Sequence, residues 1–440
     1  MTSHQQHSQP AIKTPASAAK APPAVNAHPA FNRIVLLSLV IGLMSSVRYD
    51  QPLLAQTKVA QSLTSQVDTE AIKREIVLLG DPDPIVRENA RVAIENFGEI
   101  AIGELKKAAK FETTRDYETQ IVAAKILATL QDTLMRKEAE KFVRGEKELE
   151  GWEAFKELTG DTQESRSLFR DIYLRNREEL LRATSPPAPG TDQNYTVSYS
   201  RLINLFASSD LAQVCFGMFL LARKQNEQKA EANAENQDAP IGPSLRQIKS
   251  LFYTLAATKS PLTKLNGPAQ APAILVRKII ESSPQDSQLL SSKLSLVRKI
   301  KSKEIGPLLV DFAAPKNPTV IRLKAIEHAI QIADKETFEK LNTYLNDTTE
   351  VGKYLVPSDD EPTTQKPKKL VSQVQIRDLI LLGNLRLNEQ DHTEYGFSAE
   401  AIDTTNKFNV KLAGFINNET REKAFEHFRS TTGDNSSPRR

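Results

Sequence analysis

Cysteine occurs once in the 440 residues. The chain therefore builds no internal disulfide framework and no cysteine-based zinc site. Glycine is also scarce, at 17 residues, against a usual share of about 7%. That shortage excludes collagen, glycine-rich sheets and glycine-built phosphate loops. The sequence contains no Gly-x-x-x-x-Gly-Lys-Ser/Thr, no Gly-x-Gly-x-x-Gly, no His-Glu-x-x-His, no Gly-x-Ser-x-Gly and no Cys-x-x-Cys-His. Nucleotide loops, zincins, common serine hydrolases and c-type haem lose support accordingly. No run of four or more residues alternates cleanly in period two, so no strand is expected.

An excess of one charge is missing as well. The chain carries 58 basic and 55 acidic residues. Its first 55 residues hold Lys13, Lys20, Arg33 and Arg48 against Asp50 alone, which leaves the remainder balanced. A phosphate-binding surface needs clustered cations, so a nucleic-acid partner is disfavoured.

The N-terminus reads as an export signal. Residues 1–30 hold five prolines and no acid, a composition that predicts disorder. Arg33 precedes the apolar run Ile34–Met44, which suits a signal h-region and is too short to span a bilayer unaided. Ser45, Ser46 and Ala55 offer small residues for cleavage. The rival reading keeps Ile34 to Val47 as an anchor in membrane contact. A cytoplasmic chain is the third reading. No cysteine follows the run, which excludes a lipoprotein anchor. The expected location is exported, periplasmic or cell-envelope, with a signal-anchored inner-membrane protein as the alternative.

Beyond the leader, helical spacing dominates. Between Ile85 and Ser185 there is no proline and there are five glycines. Ile85, Ala90, Ala93, Ile94 and Phe97 draw one stripe on a helix, and Asp81-Pro82-Asp83-Pro84 supplies its start. A repeat recurs at a step of 33, aligning Asp83 with Asp116, Ala90 with Ala123, Ala93 with Ile126, Ile94 with Leu127 and Phe97 with Leu130. Asn317-Pro318-Thr319-Val320-Ile321-Arg322 leads on to Ala325, Ala329 and Ile332, and its Arg322-x-x-Ala325 echoes Arg87-x-x-Ala90. Such helix pairs cannot bury their faces alone and are expected to stack.

The stretch Asp81 to Gly98 resembles a HEAT repeat in its Asp, Arg and Ala positions. Gly151-Trp152, Phe155, Leu158 and Gly160-Asp161 run on to Arg166, Leu168 and Phe169. Gln375-Ile376-Arg377-Asp378, Tyr395-Gly396-Phe397 and Arg421 to Ala424 follow near the C-terminus. This order is similar to a family of exported planctomycete-type HEAT-repeat proteins of unassigned activity, over most of residues 68–430. Leu387-Asn388-Glu389-Gln390 departs from it, standing where a glycine-containing turn is expected. The resemblance implies location and shape and carries over no catalytic residue.

The expected fold class is all-α: a HEAT-like α-solenoid of stacked antiparallel helix pairs, with a disordered N-terminus and linkers. The leader occupies 1–55 and the first helical repeats 56–183, followed by a proline-rich linker at 184–195. Helical repeats resume over 196–352, interrupted by a low-complexity loop at 225–243, part of which (Lys224–Ala239) could instead extend a helix. A second linker spans 353–370, a C-terminal helical module 371–430 and a disordered tail 431–440. Helices are expected near 196–224, 244–259, 270–282, 286–302, 319–333, 336–346 and 371–387.

Each chemically active residue has a structural explanation that outweighs the functional one. His328 beside Glu327 reads as an ordinary helix residue at the edge of a seam. His392 with Asp391 and Glu394 reads as a solvated loop rather than a metal corner. His427 suits the negative end of a helix. Trp152, with Phe155 and Phe169, reads as packing rather than an aromatic platform. Cys215, inside the apolar run 214–221, reads as a small hydrophobe on a buried helix. Asp81 and Asp83 read as caps. Asp359-Asp360-Glu361 lacks the spacing of a calcium loop. Lys366, Lys368 and Lys369 form one basic cluster, and Lys293, Arg298, Lys299, Lys301 and Lys303 a larger one. Both read as solvated faces, with an anionic partner at the second as the alternative.

No catalytic residue, metal or cofactor is therefore expected. The leading function is a non-catalytic scaffold or protein-binding module of the cell envelope with a protein or peptide partner. The alternatives are an enzyme on a HEAT-like scaffold, lyase-like or glycosylase-like, and a membrane-tethered structural protein.

Overall fold

A computed structural model describes residues 69–110, 116–185, 195–233, 243–257, 259–264, 270–332, 334–357, 369–402 and 408–432. The leader with Ile34–Val47 and Ala55, the linker core 186–194, residues 234–242 and 358–368 and the tail from 433 lie outside them. The unit Glu75–Arg440 is described by itself below.

The described residues are mostly helical. In the first stretch come α1 (Pro84–Phe97), α2 (Ile102–Ala108), α3 (Tyr117–Val143), α4 (Trp152–Thr159) and α5 (Gln163–Thr184). The middle holds α6 (Tyr199–Phe206), α7 (Leu211–Asn233), α8 (Leu245–Leu255), α9 (Gln270–Ser282) and α10 (Ser287–Val297). Then come α11 (Gly306–Ala313), α12 (Thr319–Ile332) and α13 (Lys335–Leu341). A ribbon of β1 (Glu350–Pro357) and β2 (Lys369–Gln375) leads to α14 (Ile376–Leu387), and α15 (Asn418–Thr432) is the last helix described.

The 33-residue step joins two helix caps. Asp83 accepts the Ile85 N–H at 2.8 Å, with Pro84 in the first helical turn. Asp116 accepts the Glu118 and Thr119 N–H groups at 3.1 and 3.3 Å. Both carboxylates thus satisfy donors that a helix start leaves orphaned. One helical stripe later, Ala90 and Ala123 are both buried, and their small side chains let neighbouring helices approach.

One packing step recurs along the unit beside the packing of helices consecutive in the chain. Helices two apart in the chain lie against each other: α3 on α5, α5 on α7 and α7 on α9, and likewise α6 on α8, α8 on α10, α10 on α12 and α12 on α14. One continuous core runs from Ala139 to Phe428. Helix α3, about 40 Å long at its 27 residues, packs its first half on α1 and α2 and sends Ala139, Phe142 and Val143 into that core. There Phe142, Trp152, Phe155 and Phe169 meet with ring centroids 5.0 to 5.5 Å apart for the Phe142–Trp152, Phe142–Phe169, Trp152–Phe169 and Phe155–Phe169 pairs. Such pairs add about 0.5–1.5 kcal/mol each beyond their burial.

Arginines tie the ends of neighbouring elements. Arg166 donates to the Phe142 carbonyl near the end of α3 at 3.3 Å and lies 5.1 Å over the Trp152 ring. Arg223 donates to the Ala183 carbonyl near the end of α5 at 2.6 Å. Arg322 reaches the Ala313 carbonyl at the end of α11 at 2.9 Å and pairs with Asp347. Arg386 reaches the Ile330 carbonyl near the end of α12 at 2.7 Å. The last carbonyls of a helix have no partner within it, and a cation there also suits the helix dipole.

Several sequence expectations need correction. Of the segment taken as linker 353–370, residues 353–357 and 369–370 lie in the antiparallel ribbon, and so do the first residues of the helix expected at 371–387. In β2 the inward positions are Ser372 and Val374, and the polar serine hides the period-two signal. The opposed pair Leu355 and Val371 is exposed, so no apolar face stands out. The helix expected at 196–224 breaks at 207–210, where Asp210 accepts the Ala212 N–H at 2.9 Å and starts α7. That helix then continues to Asn233 instead of ending in a loop at 225, because Glu, Gln, Lys and Ala sustain a helix. The helix expected over 286–302 ends at Val297, and α11 was not expected at all. Lys369 opens β2.

The turn after α14 does form without glycine. The Gln390 N–H reaches back to the Leu385 carbonyl at 2.9 Å, and Glu389 takes φ of 53°. This is the Schellman arrangement, in which a left-handed residue normally means glycine. Glu389→Gly is expected to raise stability by about 0.5–1 kcal/mol, read as a higher urea midpoint with an unchanged slope.

The C-terminal helix is held by a fully buried ion pair. Arg421 Nε lies 3.0 Å from Asp378 Oδ1, Arg421 Nη2 donates to the Gln373 carbonyl at 2.7 Å, and Asp378 accepts the Gln375 N–H at 2.8 Å. Burial outweighs Arg421 and pushes the Asp378 carboxyl up to about 6. A carboxyl raised in the folded chain costs nothing below its unfolded value, and its cost grows as pH rises through the folded one. Arg421→Leu, which strands that carboxyl, is expected to lose about 3–5 kcal/mol near neutral pH. The loss should shrink toward acid pH in urea titrations. A loss that does not change with pH would contradict the assignment.

Candidate functional site

A cleft of about 510 Å³ lies between α13, α14 and α15. Its floor is apolar: Phe338 and Phe428 are buried, and Leu345 and Leu387 half-buried. Lys335 and Glu339 stand exposed at the rim. Gly383 permits this geometry, since a Cβ there would overlap the Phe338 ring. Helix α14 thus lies directly on the aromatic floor.

Two facing carboxamides set the polar character of the cleft. Asn384 Nδ2 donates to Asn342 Oδ1 at 2.7 Å and to the Ile380 carbonyl at 2.9 Å. Both amide hydrogens of Asn384 are therefore engaged, leaving its oxygen to accept. Asn342 keeps its own Nδ2 to donate. One acceptor beside one donor, over an apolar floor, matches a peptide unit with its flanking side chain. Asn388 adds an exposed amide at the rim. Asn342, Asn384 and Asn388 were not singled out in the sequence. The signal was there in Asn384, a poor helix former within the apolar run Ile380, Leu381, Leu382 and Leu385.

The residues singled out in the sequence do not converge on this cleft. Trp152 is 1% exposed, which leaves no face for a base or a sugar. Cys215 is fully buried, and burial pushes its thiol up, with Asp210 adding to the effect; it is no nucleophile. Asp391 caps its own turn by accepting the Thr393 N–H at 2.9 Å, and His392 Nε2 donates to the Ser398 carbonyl at 3.1 Å. His427 stacks on Tyr395 with centroids 4.5 Å apart. Asp359, Asp360, Glu361, Lys366 and Lys368 lie outside the described residues.

The larger basic cluster is divided by the fold. Arg298, Lys299, Lys301 and Lys303 are exposed, whereas Lys293 is 2% exposed. Lys293 therefore does not belong to a solvated face. The helix turns it inward, and spacing along the chain did not show that.

His328 is also more deeply placed than a seam edge implies. It is buried, and its Nε2 lies 2.9 Å from the Ile300 carbonyl, which makes that nitrogen the protonated one. Burial pulls its imidazole below the ordinary value, against the hydrogen bond to Ile300. Glu327 beside it is raised by burial.

Among the described residues, no group of three His, Cys, Asp or Glu could hold a metal ion. Among them too, no helix is long and apolar enough to cross a membrane.

The lowered imidazole makes a pH prediction. The unfolded chain protonates His328 near pH 6.5 while the folded chain resists, so the stability it contributes is lost as pH falls below that value. Wild type is expected to lose stability through this residue as pH falls below about 6.5. Urea titrations of His328→Gln should lack that share of the slope. Equal slopes in the two proteins would refute the buried neutral imidazole.

No protein-family model, no curated protein and no solved structure matches this chain.

Proposed function

We propose that this chain is a non-catalytic HEAT-like α-solenoid scaffold of the cell envelope that binds a protein or peptide partner. The observation that carries the reading is the repeated packing step, in which helices two apart lie against each other from α3 to α14. Repetition of one step generates two parallel rows of helices, and such stacks present extended surfaces to a partner. The export signal expected in the leader supplies the location.

The cleft between α13, α14 and α15 is the proposed seat of the partner. An extended segment would set one peptide unit against the Asn342–Asn384 amide pair and an apolar side chain against the half-buried Leu345 and Leu387. Peptide recognition of this kind takes affinity from main-chain hydrogen bonds and specificity from the pocket beside them.

Site-directed photo-crosslinking in the native host tests this. A crosslinking side chain replaces the exposed Asn388 at the rim or, as a control, the exposed Lys125 on α3. Capture of one contiguous peptide from one protein at position 388 alone is expected. Asn342→Ala should reduce that capture about fivefold, the worth of one hydrogen bond. Equal capture at both positions, or none, would remove the cleft as the seat. Absence of the tagged chain from envelope fractions would remove the location.

A further inference from the structure

A second cavity, about 150 Å³, lies between α9, α10 and α11. Ile280, Leu290, Leu308 and Phe312 make its walls apolar, and Lys293 and Asp311 line it with them. Lys293 lies on α10 and is 2% exposed. Its Nζ donates to the Pro284 carbonyl at 2.9 Å, and among the described residues no carboxylate forms an ion pair with it. Asp311, which lines the cavity too, forms its ion pair with Lys316 at 2.8 Å.

A buried ammonium with one neutral acceptor is costly, and the chain meets that cost by loosening the proton. Burial pushes the Lys293 amine down to about 8; Asp311 opposes this, Lys229 adds to it and Asp286 opposes it. Near neutral pH a larger share of this amine is then unprotonated than of an exposed lysine. A desolvated lysine of this kind is a nucleophile toward carbonyl carbon.

The rest of the cavity selects the carbonyl compound. Glu281 and Asp311 both line it, so an anionic ligand meets two acids against one amine. The walls favour an aliphatic chain, and a cavity of this volume holds a molecule about the size of benzene. We propose that Lys293 captures small, neutral aliphatic aldehydes in this cavity as an imine.

The step balances without an oxidant or reductant. The free amine attacks the aldehyde carbon and the N–C bond forms. The carbonyl oxygen takes a proton and the nitrogen loses one, giving the carbinolamine. The C–O bond then breaks as water leaves with a second proton drawn from the nitrogen, and the C=N bond forms. Asp311, which lines the same cavity, is the acid assigned to pass these protons.

The test uses the full-length purified protein, butanal in slight excess and cyanoborohydride to fix any imine, followed by peptide mapping. A butyl adduct at Lys293 in about tenfold excess over the exposed Lys299 and Lys301 is expected. Asp311→Asn should slow that adduct severalfold. Leu308→Phe, which fills the cavity, should abolish the excess while leaving adducts at Lys299 and Lys301 unchanged. The unfolding midpoint of each variant shows whether it is folded. Adducts spread evenly over exposed lysines in the wild type would overturn the proposal. So would an excess at Lys293 that survives filling of the cavity in a folded variant.

Discussion

The helical packing depends on closing the ends of helices that are buried by their neighbours. A helix in water leaves its last carbonyls to solvent. A helix packed between others cannot do so, and each orphaned acceptor costs about 1–3 kcal/mol. Here Arg166, Arg223, Arg322 and Arg386 each reach a carbonyl at the end of an earlier helix. A guanidinium suits the task because it has several donors, no acceptor and a long stem that packs apolar surface on the way. These contacts tie elements that are distant in sequence. Arg386 lies 56 residues from the carbonyl it serves, and Arg223 40 residues from its own.

Close approach is the second requirement, and small residues supply it. Ala90, Ala123 and Ala325 are buried at corresponding places on their helices. Gly217 lies against Phe206 and Gly383 against Phe338, each so near that a Cβ would collide with the ring. The same economy that stacks the helices also shapes the cleft floor at Phe338. The C-terminal helix closes one side of that cleft, and Arg421 holds it through Asp378 and the Gln373 carbonyl. The ribbon, α14 and α15 therefore meet at one buried charge pair. Asp378 is raised even with its partner present, so the pair contributes position more than stability.

The helices were largely legible because their signals are local. Asp83 and Asp116 cap where the 33-residue step places them, and the apolar stripes recur every three to four residues. The ribbon was not legible, because Ser372 occupies an inward position and Leu355 and Val371 face out. Helix α11 was hidden between the basic run ending at Lys303 and the turn at Asn317. The amides of the candidate cleft come from α14 and from the turn after α13, 42 residues apart, and no spacing rule joins them. Lys293 misled in the opposite sense, since four exposed cations follow it closely in sequence and made it read as one of them.

The sequence by itself determined the helical character, the repeat between Asp83 and Asp116, the lack of a second cysteine to pair with Cys215 and the inward stripes. Those properties depend on residues within a few turns of each other, where backbone sterics and capping decide the outcome. Tertiary structure alone decided which carbonyls the arginines close, which asparagines face each other and which lysine is shut away from water. These outcomes depend on distances between elements tens of residues apart. Burial, which sets the behaviour of Lys293, His328 and Asp378, is a property of the packed neighbours and not of the residue itself.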